Sequence, residues 1–143
     1  MTTRFTAAFA GQLKALGEDP SNFAGEFDHW KSQGLAGEYS NYLFGKDGGY
    51  IRPDKLRHVH LVPLSDVNAL MKWNIAWKRQ SRRVSDRVLV YASDSTHGHL
   101  LIFILDEPQA HEISRMRTNE HRELMQSFSA IADRFIQTGQ ILG

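Results

Sequence analysis

The chain contains no cysteine. That removes disulfides, thiolate zinc sites and cysteine nucleophiles, and suits a reducing compartment. The start, Met1-Thr2-Thr3-Arg4-Phe5, lacks the apolar stretch of a signal peptide. The longest strongly apolar run, residues 100–105, is far too short to span a bilayer. The expectation is a cytoplasmic protein without a membrane segment. Neither internal repeats nor low-complexity segments occur. Strong charge of one sign is also missing: 17 Lys and Arg against 16 Asp and Glu leave a formal net charge of +1.

What is present fits one globular domain spanning residues 1–143. Apolar residues make up 41% and charged residues 23%, a balance that supports a packed core and argues against disorder. The positive charge is unevenly placed. Lys72, Lys78, Arg79, Arg82, Arg83 and Arg87 lie within sixteen positions, opposed only by Asp86, with Trp73 and Trp77 among them. Cations interleaved with aromatics suit a polyanion such as RNA, which offers phosphates to the one and base faces to the other. The same pattern suits a solvated helix face with two tryptophans turned to the core.

Phe5, Phe9, Leu13 and Leu16 fall near helical spacing, and Gly17 ends the run. A second amphipathic stretch runs from Pro20 through Phe23, Phe27 and Trp30 to Gly34, so an N-terminal helical hairpin is expected. Residues 35–54, punctuated by glycines and Pro53, read as an ordered loop anchored by Tyr39, Tyr42, Phe44 and Tyr50. Residues 56–62 read as a strand whose alternation puts His58, His60 and Val62 on one face and Arg57, Val59 and Leu61 on the other. A partly helical basic segment follows over 66–84. Residues 87–92 and 99–105, separated by a turn-forming cluster, read as an antiparallel hairpin whose second strand is covered on both sides. Residues 119–135 read as a C-terminal helix. The fold class is therefore α+β: an N-terminal helical hairpin packed on a small antiparallel sheet with a C-terminal helix.

Seven histidines exceed what packing needs. His58 and His60 share a strand face, His97 and His99 flank the hairpin turn, His111 follows Pro108, and His121 lies on the last helix. A histidine pair two apart on a strand can bind a metal ion, but no third ligand stands at a recognisable metalloenzyme spacing and His-Glu-x-x-His is absent. No metal and no cofactor are expected. The other chemistry open to these residues is acid–base cleavage of RNA, in which the 2′-hydroxyl is the nucleophile. Histidine suits both proton transfers and arginine suits the phosphorane charge. Either of His58 and His60, taken singly, also suits a core position with its ring satisfied by backbone.

Taken in order, several segments resemble the YafO family of type II toxin–antitoxin toxins. They are Phe27-Asp28-His29-Trp30-Lys31-Ser32-Gln33-Gly34, Phe44-Gly45-Lys46-Asp47 with Tyr50, His58-Val59-His60-Leu61, Arg83-Val84-Ser85-Asp86 leading to Leu89-Val90-Tyr91, Leu100-Leu101-Ile102-Phe103-Ile104-Leu105, and Pro108-Gln109-Ala110-His111 with Arg115 and His121 beyond. The likeness covers about residues 23–136. The first twenty residues, the stretch 65–78 and the tail 137–143 fit it less well.

The resemblance implies a compact RelE-like fold whose concave sheet face holds the site. It implies an mRNA interferase that cuts translated messages on the ribosome and is held in check by a protein antitoxin. It points to His58, His60, Arg83, Asp86, Tyr91, His111, Arg115 and His121. Within that set, His60 and His111 are assigned to proton transfer, Arg83 to the phosphorane charge, and His58 and Tyr91 to positioning. Lys78, Arg79, Arg82, Arg87 and Arg115 are assigned to RNA binding. Because a basic RNA-facing surface is neutralised most readily by opposite charge, the antitoxin is expected to be acidic. A non-catalytic RNA- or ribosome-binding translation inhibitor is the alternative, and a metal-dependent hydrolase a third possibility.

Overall fold

A computed structural model describes residues 2–143, with Ala36 described by its backbone. In chain order the elements are β1 (Thr3–Phe5), α1 (Ala7–Ala15), α2 (Pro20–Ser32), a 3-10 turn (Gly34–Gly37), β2 (Phe44–Gly49), β3 (Arg57–Leu61), α3 (Val67–Lys78), β4 (Val88–Asp94), β5 (Gly98–Leu105), α4 (Ala110–Arg115) and α5 (Asn119–Thr138). The strands form a single sheet in the order β1-β5-β4-β3-β2. All neighbours are antiparallel except β1 and β5. The expected α+β class and the mainly antiparallel sheet are found.

Four of the five α-helices begin where a local side chain satisfies a free amide. The side chains of Thr6, Asp19, Asp66 and Thr118 cap α1, α2, α3 and α5, with Pro20 opening α2. Thr6 also donates from its hydroxyl to the Ile102 carbonyl at 2.6 Å, which ties the start of α1 to the sheet.

Strand alternation sorts the apolar residues into two cores. Val59, Leu61, Leu89, Tyr91 and Leu101 face α1 and α2, meeting Phe9, Leu13, Phe27 and Trp30. Val88, Val90, Leu100, Ile102 and Leu105 face α4 and α5, meeting Ala110, Met125, Phe128 and Phe135. Between Val90 and Tyr91 the β4–β5 register shifts by one residue, so Ile102 and Phe103 both turn to the α5 side. The run 100–105 is apolar throughout because β5 is covered on both faces.

Three features depart from the sequence expectation. Phe5 belongs to β1, not to a helix, and the first helix starts two residues later. Residues 44–49, read as loop, form edge strand β2. Its glycines conceal it, and Gly45 is needed: a Cβ there would sit 2.3 Å from the Arg83 carbonyl oxygen. The third feature is the short helix α4, which carries His111.

Candidate active site

β3 positions the central groups. Its alternation sends Val59 and Leu61 to the α1/α2 core and leaves His58 and His60 on the opposite face. There α5 lies chiefly over β4 and β5. A cleft remains, roofed by α4, with a volume of about 360 Å³. Besides His58 and His60 it is lined by Lys46 from β2, Tyr50, Val84, Val88, and Ala110, His111 and Ser114 of α4.

Four rings stand in a row across it. Tyr50 lies 4.4 Å from His58, His58 lies 5.6 Å from His60, and His60 lies 6.4 Å from His111, centroid to centroid. Tyr50 is fixed at its far end by Ser114, 3.3 Å from its hydroxyl. His111 is exposed at the mouth. Its backbone N–H donates to Asp86 Oδ1 at 2.7 Å, so Asp86 holds the start of α4, and its Nδ1 lies 3.5 Å from the same oxygen.

The environment keeps the inner histidines neutral. Burial, then the neighbouring His60, push the His58 pKa down to about 4. Its Nδ1 is buried without a partner. Burial also lowers the His60 pKa, partly opposed by its bond to the Ser85 backbone. Among the described residues, no three His, Asp or Glu side chains converge as ligands for a metal ion.

The family model described as toxin YafO, type II toxin-antitoxin system, matches residues 28–137. The chain belongs to the YafO toxin family. The matched span holds all of the cleft residues. Comparison with curated proteins and with solved structures finds no match. Membership of a type II toxin family implies an antitoxin as partner. No helix among the described residues is long and apolar enough to cross a membrane.

The sequence-selected residues of this YafO-family chain do not all gather at the cleft. His58, His60 and His111 do, with Asp86 behind them. Arg83 does not. Its side chain is 2% exposed and points away, donating to the carbonyls of Tyr42 (2.7 Å), Asn41 (3.0 Å) and Glu38 (3.3 Å). Its guanidinium lies over the rings of Trp73 and Trp77. It is the pin that holds the chain before β2 against α3.

Tyr91 lies on the other face of the sheet, fully buried. Its hydroxyl donates to Asp47 at 2.5 Å and accepts from Lys31 and Arg57 at 3.1 and 3.2 Å. Burial and the Asp47 carboxylate hold its pKa far above the usual phenol value.

Of the five expected RNA contacts, Lys78 and Arg79 are exposed at the end of α3. Arg115 is exposed near Glu112, and Arg82 is exposed but bonded to Glu38. Arg87 is buried, donating to the Val62 carbonyl beside Asp106. A buried arginine engaged in this way is not available to a phosphate at the surface. His121, on α5, is not among the cleft residues.

Lys46, Tyr50 and Ser114 were not singled out as site residues from sequence. For Lys46 a signal existed. Once 44–49 is paired antiparallel with β3, Asp47 opposite Val59 and Gly48 opposite His58 put Lys46 on the histidine face. Ser114 carries no signal, because only the folding back of α4 brings it there.

Proposed function

We propose that this chain is an endoribonuclease that cuts mRNA, in association with the ribosome, by acid–base chemistry at the row of histidines. The observation that carries this reading is the convergence of His60 and His111 in one cleft, the first with its Nδ1 bonded to the Ser85 backbone and the second with its Nδ1 beside Asp86. His60, neutral through burial, removes the proton from the 2′-hydroxyl. The 2′-oxygen attacks phosphorus, the bond to the 5′-oxygen breaks, and His111 delivers a proton to that leaving oxygen. The products are a 2′,3′-cyclic phosphate and a 5′-hydroxyl. Lys46 takes the role first given to Arg83 and offsets charge on the phosphorane. His58, packed against Tyr50, gives the cleft an aromatic side against which a base can stack. No metal or cofactor takes part.

Exposed Lys78, Arg79 and Arg115 supply phosphate contacts. The site acts in the cytoplasm, where its messages are translated, and an acidic antitoxin neutralises it. The test is mapping of transcript ends after the toxin is induced alone, together with cleavage of a translated message by purified protein in chelator. New ends bearing 5′-hydroxyls, formed with chelator present, support the reading. Growth arrest with intact transcripts would replace it with translation inhibition by occupancy.

A further inference from the structure

Helix α3 carries a second apolar face that nothing in the fold covers. Its inner side is used: Trp73 is buried and donates from its indole N–H to the Tyr42 carbonyl at 3.0 Å. Asn74 accepts from the Tyr42 hydroxyl, and Trp77 packs edge-on against the same ring. On another side stand Val67, Met71 and Ile75, 71, 57 and 48% exposed. A spacing of four makes them one continuous stripe, drifting about 40° per step. Leu64, 53% exposed, extends it just ahead of the helix. Single exposed apolar residues need no explanation, but an aligned row on one helix marks a contact surface.

Charge identifies what fits there. Helical spacing puts Lys72 and Arg79 beside the stripe on the side away from the tryptophans, with Lys78 at its C-terminal end. Arg82, Arg87 and Arg115 each have a carboxylate partner, whereas among the described residues Lys72, Lys78 and Arg79 have none. The surface is thus an apolar row bordered by unpaired cations. Aromatic faces, which nucleic acid would use, are absent from it because both tryptophans turn inward. A Met flanked by branched aliphatic side chains instead suits an amphipathic protein helix bearing its own apolar residues at the same spacing.

We propose that the Val67–Met71–Ile75 stripe is the docking surface for an acidic amphipathic segment of the cognate antitoxin. This rests on membership of the toxin family and not on the cleavage reading. The location also explains how docking would silence the toxin. The chain leaving α3 leads through Arg79 and Arg82 to Val84, which lines the histidine cleft. A segment seated on α3 would cover Lys72, Lys78 and Arg79 and could bear on the chain that runs from α3 to Val84.

The experiment uses the full-length protein and the antitoxin encoded beside it, purified separately. Met71→Asp/Ile75→Asp should melt like the parent and still arrest growth when expressed alone. It should bind the antitoxin roughly tenfold or more weakly, and co-expressed antitoxin should no longer rescue growth. Lys72→Glu should weaken the same complex, and added salt should weaken the parent complex more than the Lys72→Glu complex. If the aspartates lower the melting temperature, Met71→Ala/Ile75→Ala gives the same readout without introducing charge. Antitoxin binding and rescue at parental levels by these variants would overturn the proposal. So would loss of ribosome association and growth arrest with antitoxin affinity intact, which would assign the stripe to the translation machinery.

Discussion

His60 Nδ1 lies 2.7 Å from the carbonyl oxygen of Ser85 and 3.0 Å from the amide nitrogen of the same residue. One backbone unit therefore offers this ring both an acceptor and a donor. With a proton on Nδ1 the ring donates to the carbonyl; with the proton on Nε2, Nδ1 accepts from the amide. In either tautomer Nδ1 keeps a backbone partner, so Nε2 can gain or lose a proton while the ring stays anchored. Ser85 is held rigidly for this, its hydroxyl donating to the Leu61 carbonyl at 2.6 Å. A histidine that merely filled the core would need only one such partner.

From this follows the first expectation. His60→Gln and His111→Gln should each lower cleavage of a translated message by roughly a hundredfold or more, the usual contribution of a proton-transfer group. The fold should survive, since glutamine retains donors and acceptors and His111 is exposed. Cleavage rates set beside melting curves make the test. Near-parental cutting by both variants would remove the acid–base assignment, and lost cutting with a collapsed melting temperature would make His60 a core residue only.

A second expectation concerns pH. Burial lowers the His60 pKa from its ordinary value of about 6.5, so the neutral ring persists into mildly acidic solution. If neutral His60 is the base, the acid limb of the kcat/KM profile lies below that ordinary value. An acid limb at or above the ordinary histidine value would contradict a buried base.

Much of this site was legible before the fold was known. Alternation in 56–62 already placed His58 and His60 together, because a strand with one face in a core leaves no other choice of side. The continuous apolar run 100–105 announced a strand covered twice. The family resemblance points to Arg83 and Tyr91 for the chemistry, whereas the fold buries both side chains away from the cleft. Arg83 turns back on carbonyls from residues 38–42. Tyr91 falls on the face opposite the histidines: Arg57, its partner across the sheet, is one residue out of step with His58. Strand β2 was hidden by its glycines, and one of them, Gly45, serves a close approach to the Arg83 carbonyl, a tertiary contact that local propensity does not encode.

The third expectation tests Arg83 directly. Lysine would keep the charge but lose the planar fork that spans three carbonyls and lies over two indoles. Arg83→Lys should therefore cost roughly 2–4 kcal/mol of stability, by leaving buried carbonyls unsatisfied. Chemical denaturation measures it. A phosphate-binding role predicts the reverse pattern, impaired cleavage with unchanged stability, and that result would return Arg83 to the site.

The last expectation separates His58 as a functional residue from His58 as a packing residue. Its pKa is pushed down to about 4 in the fold, against about 6.5 when unfolded. Above pH 6.5 the ring is neutral in both states and contributes no pH dependence. Between about 6.5 and 4 the unfolded chain binds a proton that the folded chain does not, so stability falls as pH falls through this window. Below it both states are protonated and the loss stops growing. Because the ring is partly open to solvent, the loss is discounted to about 1–2 kcal/mol. His58→Phe keeps the stack on Tyr50 and removes an Nδ1 that is buried without a partner. The variant should match the parent at pH 7.5 and exceed it at pH 5, with a residual slope from His60, whose pKa is lowered in the same direction. Denaturation midpoints at the two pH values decide it. Parallel slopes for parent and variant would mean that His58 is not held neutral. A flatter slope with cleavage retained would make His58 a stacking wall, and a flatter slope with cleavage lost would place its free nitrogen in the chemistry.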